Sequence, residues 1–271
     1  MENRRQNALV TGSSSGIGKA TAIELAKQGY NVGITYRDDS TYENALEVYN
    51  ECKQYGGDIQ LYKVELIERE ACENLIKDFL AHYGVIDVLV NNAGGALKIP
   101  AGEFEDMPMD YWDDQIALNL NAPAYLSHYA VQNMKKNKIN GRIVNISSVH
   151  GKITWVKRKM LPYCAAKAGL NMFTSALGVE VAPYGIRVNC VAPGFIMTGL
   201  SARYTPEHTK AFTDHIPSGT LGRTEDIVPM IVFLCDEKNT KFIVGQTFSV
   251  DGGQSVTGNI DAIKEDFEKL V

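Results

Sequence analysis

Apolar residues along this chain fall into two alternating kinds of segment. Short runs of apolar residues recur, each followed by a longer stretch in which apolar residues return every three or four positions. Ala8 to Val10, Asn31 to Tyr36, Ile59 to Val64, Val85 to Val90, Arg142 to Ile146, Ile186 to Val191 and Thr247 to Val250 are the short runs. They predict strands of a parallel sheet buried on both faces. Lys19 to Gln28 (Ala22, Leu25 and Ala26 inward, Gly29 as the stop), Thr41 to Tyr55 and Glu68 to Tyr83 carry the longer period and predict helices. A long helix is predicted within Pro108 to Asn137, with Trp112, Ile116, Leu120, Tyr125 and Tyr129 among its apolar positions. Another carries Tyr163 and Lys167, and a further one is capped by Thr224-Glu225-Asp226 and runs through Cys235. Strands alternating with helices predict a doubly wound α/β fold.

The segment from Phe195 to Leu221 breaks the pattern and is expected to be a lid or binding loop. The tail at 258–271 has apolar residues at 260, 263, 267 and 270, a helical spacing; it reads as a capping helix, a subunit contact or one wall of a cleft. With no repeat, linker or low-complexity segment, residues 1–271 are taken as one domain.

Composition narrows the function. The net charge is −5 and no long run of Lys or Arg occurs, which argues against a nucleic-acid partner. Five cysteines, at 52, 72, 164, 190 and 235, lack CxxC spacing, so free thiols in a reducing compartment are expected, with neither metal site nor disulfide framework. His208 and His215 have no acid or cysteine cluster beside them and read as surface or packing residues. No apolar run reaches membrane-spanning length and no signal peptide opens the chain, so a cytoplasmic location is expected.

The first strand runs into T-G-S-S-S-G-I-G, with glycines at 12, 16 and 18, then a helix and a second strand. In such a βαβ unit Gly12 permits a tight turn, Gly16 admits backbone close to a pyrophosphate, and Gly18 lets helix and strand pack closely. The helix N-terminus adds free N–H groups and partial positive charge. At the end of the second strand an acid accepts from a ribose 2′-OH, whereas a base suits a 2′-phosphate. The chain reads Tyr36-Arg37-Asp38-Asp39 there, which favours NADP(H) through Arg37 and leaves NAD(H) through Asp38 as the alternative.

The fourth strand exits into Asn91-Asn92-Ala93-Gly94-Gly95, at the edge where α/β sheets bind ligands. Asn119 sits mid-helix, where an asparagine is unfavourable unless packing or function requires it. Ser147 and Ser148 end the fifth strand. Tyr163 and Lys167, four apart, share one helical face, where an ammonium lowers the pKa of a phenol. Together with a serine hydroxyl they make a general acid–base site. The pair Tyr49 and Lys53 has the same spacing and reads as a solvated helix face.

With these motifs in place the sequence resembles the short-chain dehydrogenase/reductase family from about Asn7 to Gly253. The resemblance rests on T11-G12-xxx-G16-x-G18, N91-N92-A93-G94, Asn119, S148…Y163-xxx-K167 and P193-G194-F195-I196-M197-T198. It implies a Rossmann-like fold with a seven-stranded parallel sheet and helices on both faces. It also implies a nicotinamide cofactor, interconversion of a secondary alcohol and a ketone, and a homotetramer or homodimer formed through the helices holding Trp112 and Tyr163. By matched position Tyr163 is the acid or base, and Lys167 lowers its pKa and holds the nicotinamide ribose. Ser148, not Ser147, binds the substrate oxygen, and Asn119 holds a relay water. Gly12, Ser14, Ser15, Gly16, Ile17 and Gly18 are expected at the pyrophosphate, and Glu65, Leu66, Asn92, Ala93 and Gly94 around the adenosine half. Pro193, Gly194, Ile196 and Thr198 are expected at the nicotinamide.

Three positions depart from the family pattern. Glu65 stands where Asp is usual, and Ser15 where many NADP-using members carry a base, which counts against NADP(H). The loop from Gly151 to Pro162 is longer than usual and carries Trp155, Lys157, Arg158 and Lys159; it reads either as a substrate contact or as a basic surface loop. Trp155, Met160, Phe195, Met197, Tyr204 and Phe212 point to a hydrophobic or bulky substrate, a 3-oxoacyl thioester or hydroxysteroid, with a sugar or polyol as the alternative. A non-catalytic dinucleotide-binding redox sensor is the reading from another class.

Overall fold

The computed structural model describes residues 4–96, 103–154, 160–198 and 205–256. Trp155, Lys157, Arg158, Lys159, Tyr204 and the 258–271 tail lie outside the described residues. The strands are β1 (Asn7–Val10), β2 (Asn31–Tyr36), β3 (Ile59–Lys63), β4 (Val88–Asn91), β5 (Arg142–Ile146), β6 (Arg187–Pro193) and β7 (Thr247–Val250). They form one seven-stranded sheet in the order β3-β2-β1-β4-β5-β6-β7, with every neighbouring pair parallel. The order reverses direction between β1 and β4, the switch point where doubly wound sheets open a crevice.

Alternation within each strand feeds two cores. Ala8, Val10, Val88, Val90, Val144 and Ile146 face helices α1 (Gly16–Lys27), α2 (Tyr42–Lys53) and α8 (Thr224–Cys235). Leu9, Leu89 and Ile143 face the other layer, α3 (Arg69–Tyr83), α5 (Ala122–Lys136) and α6 (Leu161–Val181). The period of two in a strand gives both faces an apolar set only when the whole run is apolar, as here.

Several boundaries move. The fourth strand starts at Val88 rather than 85, because Asn7 Nδ2 takes the Val85 carbonyl at 2.9 Å before the ladder begins. The sixth strand runs to Pro193, paired with β7 over Cys190 to Pro193. Helix α8 begins at Thr224, and its cap is the Asp226 carboxylate, which accepts the Arg223 N–H at 2.7 Å. Part of the irregular 195–221 segment is itself a helix, α7 (Pro206–Thr213), whose first turn is closed by the Thr205 hydroxyl accepting the His208 N–H at 3.2 Å. Tyr49 is not on a solvated face: it packs against the core, with the Lys53 ammonium 5.3 Å from its ring centre.

The long helix expected within 108–137 is interrupted. Helix α4 (Met109–Ile116) and α5 are joined by a π turn, Ala117–Asn121, closed by the Ala122 N–H on the Ala117 carbonyl. Pro123 has no N–H for the carbonyl four residues back, which is that of Asn119. The α ladder cannot close there, and the wider turn accommodates the gap.

Candidate active site

Thr11, Gly12, Asn92 and Ala93 join the exits of β1 and β4. The Thr11 hydroxyl accepts from the N–H groups of Asn92 and Ala93, both at 3.0 Å. The Asn92 amide donates to the carbonyls of Thr11 (2.8 Å) and Gly12 (3.1 Å), and the Gly12 N–H goes to the Thr35 hydroxyl at 2.8 Å. A side chain at Gly18 would overlap the Asn92 amide and the Gly12 carbonyl, so the close approach requires glycine. Gly16 differs: its φ is +57°, yet a Cβ there would meet nothing nearer than Thr198 Cγ2 at 3.6 Å. Gly16 therefore sits between the α1 N-terminus and Thr198 without crowding, beside N–H groups that have no intrahelical partner. This arrangement fits the pyrophosphate of a dinucleotide. Ser14 is buried, whereas Ser15 is exposed and its side chain does not cap α1.

At the end of β2 the exposed Arg37 gives its Nε–H to the Asp38 carboxylate at 2.7 Å, with Glu65 at 3.9 Å. The Ser40 hydroxyl and, less strongly, Arg37 hold Asp38 down at about 2. Glu65 turns back to accept the Leu66 N–H at 3.1 Å, and Leu66 is buried.

A chain of buried amides seats helix α6. Asn91 Nδ2 donates to Asn145 Oδ1, Asn145 Nδ2 to the Thr174 hydroxyl, and that hydroxyl to the Leu170 carbonyl, each at 2.8 Å. Ser147 belongs to this scaffold, since its hydroxyl donates to the Lys167 carbonyl at 3.2 Å. Ser148 is the serine that acts on the phenol: it lowers the Tyr163 pKa, and its hydroxyl accepts the His150 N–H at 3.2 Å.

Tyr163 and Lys167 are 9% and 3% exposed, so both are nearly out of water. Burial pushes the Tyr163 phenol up to about 12, against a smaller lowering by Ser148. Burial likewise pushes the Lys167 ammonium down to about 8. Its Nζ donates to the Ile146 carbonyl at 2.8 Å and lies 5.7 Å from the centre of the Tyr163 ring. The lowered phenol pKa expected from the pairing is therefore absent here, because burial outweighs the ammonium at that distance.

Asn119 is fully buried. Its Nδ2 donates to Gly95 O, Gln115 O and Gln115 Oε1, each at 3.1 Å, and its Oδ1 accepts the Gly95 N–H at 2.9 Å. The side-chain amide is thus committed to clamping the β4 exit, and the backbone carbonyl is the one to which Pro123 offers no N–H. A Cβ on Gly94 would fall 2.7 Å from Asn119 Oδ1 and 3.3 Å from Lys167 Nζ, which brings Gly94, Asn119 and Lys167 to one place.

On the far side Gly194 packs on Asp251, and the Ile196–Met197 stretch pairs with Gly222, where the Met197 N–H meets the Gly222 carbonyl at 2.8 Å. Pro193 ends β6, and Thr198 faces Gly16. Met160 and Phe212 are buried, Phe195 is half-buried and Met197 is exposed. Sequence reasoning missed Thr11 as a staple, the Ile146 carbonyl as the lysine's acceptor, and Gln115. Only Thr11 carried a signal, its place at the head of the glycine turn. All five cysteines are free thiols, and no group of metal-ligating side chains occurs among the described residues. No helix of the described residues is long and apolar enough to cross a membrane.

A family model described as enoyl-(acyl carrier protein) reductase matches residues 12–255. The chain is 38% identical over 248 residues to a 3-oxoacyl-(acyl-carrier-protein) reductase of Synechocystis sp., covering 92% of this chain and 96% of the relative. Among solved structures it is similar to acetoin dehydrogenase from Enterobacter cloacae, with a TM-score of 0.85 and 32% identity over 96% of this chain and 99% of the other. It is also similar to a single-site variant of actinorhodin polyketide ketoreductase with NADPH, with a TM-score of 0.83 and 29% identity over 93% and 98% of the two chains. By its sheet order, its glycine turn and these likenesses, the chain belongs to the short-chain dehydrogenase/reductase family.

Proposed function

We propose that the protein is an NADPH-dependent ketone reductase acting on a 3-oxoacyl thioester through Tyr163, Ser148, Lys167 and Asn119. The observation that carries this reading is the juxtaposition of Ser148 with the buried Tyr163 phenol, whose pKa it lowers, at the carboxyl edge of β5 beside the glycine turn. Two neighbouring hydroxyls suit a single carbonyl oxygen. The 38% identity to a 3-oxoacyl reductase supports the substrate class.

The cofactor, when bound, supplies the hydride. Gly12 to Gly18 hold its pyrophosphate, Arg37 its 2′-phosphate, Glu65 and Leu66 with Asn92 to Gly94 its adenosine half, and Pro193 to Thr198 its nicotinamide end. Ser148 donates to the substrate oxygen and fixes its place. Tyr163 releases its phenolic proton to that oxygen as charge develops there. A phenol near 12 is fully protonated at neutral pH and is ready to act as the acid of a reduction. Lys167 stabilises the resulting phenolate by charge and holds the nicotinamide ribose. The Asn119 carbonyl holds a water through which the proton is replaced.

Residues 1–271 act as one catalytic domain in the cytoplasm. Leu161, Met172 and Val179 on α6 are exposed by 51%, 69% and 71% and favour a homo-oligomer formed through that helix, a dimer or tetramer readable by light scattering.

The test is oxidation of NADPH and NADH against a 3-oxoacyl thioester, diacetyl, a trans-2-enoyl thioester, a ketosteroid and a ketose. Turnover of the 3-oxoacyl thioester with NADPH is expected. Small diketones are the second reading, favoured by the likeness to acetoin dehydrogenase over 96% of the chain. The enoyl arm tests the activity in the family model's description. Dinucleotide binding without turnover of any ketone would favour a redox sensor.

A further inference from the structure

Four aromatic rings run in contact from the phenol to the segment after β6. The His150 ring meets that of Tyr163 edge-on at 6.1 Å between centroids and that of Phe195 edge-on at 6.2 Å. Phe195 in turn lies stacked on Phe212 of α7, at 4.5 Å and 15°. His150 and Phe212 are 7% and 8% exposed. The His150 backbone is fixed as well, because its N–H is bound by the Ser148 hydroxyl at 3.2 Å. None of the roles assigned above uses His150.

We infer that His150 is a specificity-determining residue, whose ring forms with Phe195 an aromatic wall that holds an apolar or flat substituent on one side of the substrate carbonyl. The inference rests on the ketone-reductase reading. Ser148 and Tyr163 fix where the carbonyl oxygen sits, and the nicotinamide end, at Ile196 next to Phe195, fixes the side from which the carbon is approached. Two substituents then remain to be told apart. Exchanging them presents the opposite carbonyl face and yields the other alcohol enantiomer. A wall of rings beside only one of the two positions makes the exchange unequal, since edge and stacking contacts reward a flat or apolar group and not a solvated one. Stacking on Phe212 ties the wall to α7, so a substituent pressed on Phe195 bears on that helix too.

The test compares the wild type with His150→Val, which removes the ring, and His150→Phe, which keeps it. Each is given NADPH and an unsymmetrical 3-oxoacyl thioester, and the product alcohol is resolved by chiral chromatography. The enantiomer ratio is expected to fall about tenfold in His150→Val and to be retained in His150→Phe. KM for the thioester should rise more than kcat falls, with NADPH affinity and Tm unchanged. A purely structural residue would move Tm and leave the ratio alone. An unchanged ratio in an active His150→Val overturns the inference. A second measurement is independent of turnover: the His150 ring-proton NMR signals, assigned by their loss in His150→Val, should shift when acetoacetyl-N-acetylcysteamine is added to the NADP⁺ complex. Binding without that shift also overturns the inference, whereas no turnover of any ketone by the wild type overturns the underlying reductase reading instead.

Discussion

The Lys167 ammonium gives its hydrogen bond to the Ile146 carbonyl at 2.8 Å, while the Tyr163 ring centre lies 5.7 Å away. A buried cation held by one neutral acceptor is poorly solvated, which is why it sits near 8. Unfolded, the same lysine titrates near 10.4. Below pH 8 the folded state carries the full cost of the buried charge, about 3 kcal/mol from that gap. Between pH 8 and 10 the unfolded chain binds more protons, so stability rises with pH. Above 10 the raised Tyr163 reverses the trend, because the unfolded phenol ionises first. Lys167→Met should therefore be inactive yet more stable than the wild type at pH 7 by about 1–3 kcal/mol. That gap should narrow by pH 10, as read by urea unfolding of the cofactor-free protein.

Tyr163 predicts an asymmetry between the two directions of reaction. As an acid near 12 it is protonated throughout the neutral range; as a base it is almost never ready. Reduction should be nearly level from pH 6 to 7 and begin to fall toward pH 8 as the Lys167 ammonium loses its proton. Oxidation of the alcohol should climb about tenfold per pH unit from pH 6 to 7 and less steeply toward pH 8. Tyr163→Phe should lower single-turnover reduction by about 10²–10⁴-fold, and Ser148→Ala by about 10²–10³-fold. Both variants should bind NADPH as the wild type does.

Two glycines of one turn should fail in different ways. A methyl at Gly18 strikes the Asn92 amide and the Gly12 carbonyl, so Gly18→Ala should cost about 1–3 kcal/mol in thermal unfolding. A methyl at Gly16 makes only ordinary contact with Thr198, at 3.6 Å. Gly16→Ala should lose about 1 kcal/mol to its positive φ and lose more in calorimetric NADPH affinity, because the methyl enters the pyrophosphate's space.

The ion pair of Arg37 with Asp38 sets up a competition. An NADPH 2′-phosphate must take Arg37 from a carboxylate 2.7 Å away. Arg37→Ala should reduce the preference for NADPH over NADH by at least about tenfold, the worth of one charge-assisted contact. Asp38→Asn should raise it, since the guanidinium then faces only the more distant Glu65, at 3.9 Å. The ratio of kcat/KM for the two dinucleotides reads both.

The parallel strands, the glycine turn and the helix carrying Tyr163 and Lys167 were legible because each rests on local pattern: continuous apolar runs, glycine spacing, an i,i+4 pair. The 206–213 helix was legible in principle, since Thr205-Pro206-Glu207 is a helix-start signal. Other features depend on which atom reaches which. Nothing local says that Ser147 turns to the Lys167 carbonyl while Ser148 is the one that acts on Tyr163, or that Arg37 is held by its own neighbour. The direction of the Tyr163 shift was misjudged for the same reason. Sequence shows the lysine four residues away but not how completely both side chains leave water.

Pro123 acts on Asn119 through a missing donor. Replacing it restores an N–H that can close the α ladder on the Asn119 carbonyl and removes the reason for the π turn at Ala117–Asn121. Straightening that turn would rotate the Asn119 amide away from Gly95, whose N–H and carbonyl it now holds at 2.9 and 3.1 Å. Pro123→Ala should therefore unfold no earlier than the wild type, and it should turn over more slowly. The loss should appear in kcat, with KM for the ketone little changed, because proton replacement and the β4 exit are disturbed while Ser148 and Tyr163 stay in place. A variant with unaltered kcat would show that the Asn119 carbonyl has no part in turnover.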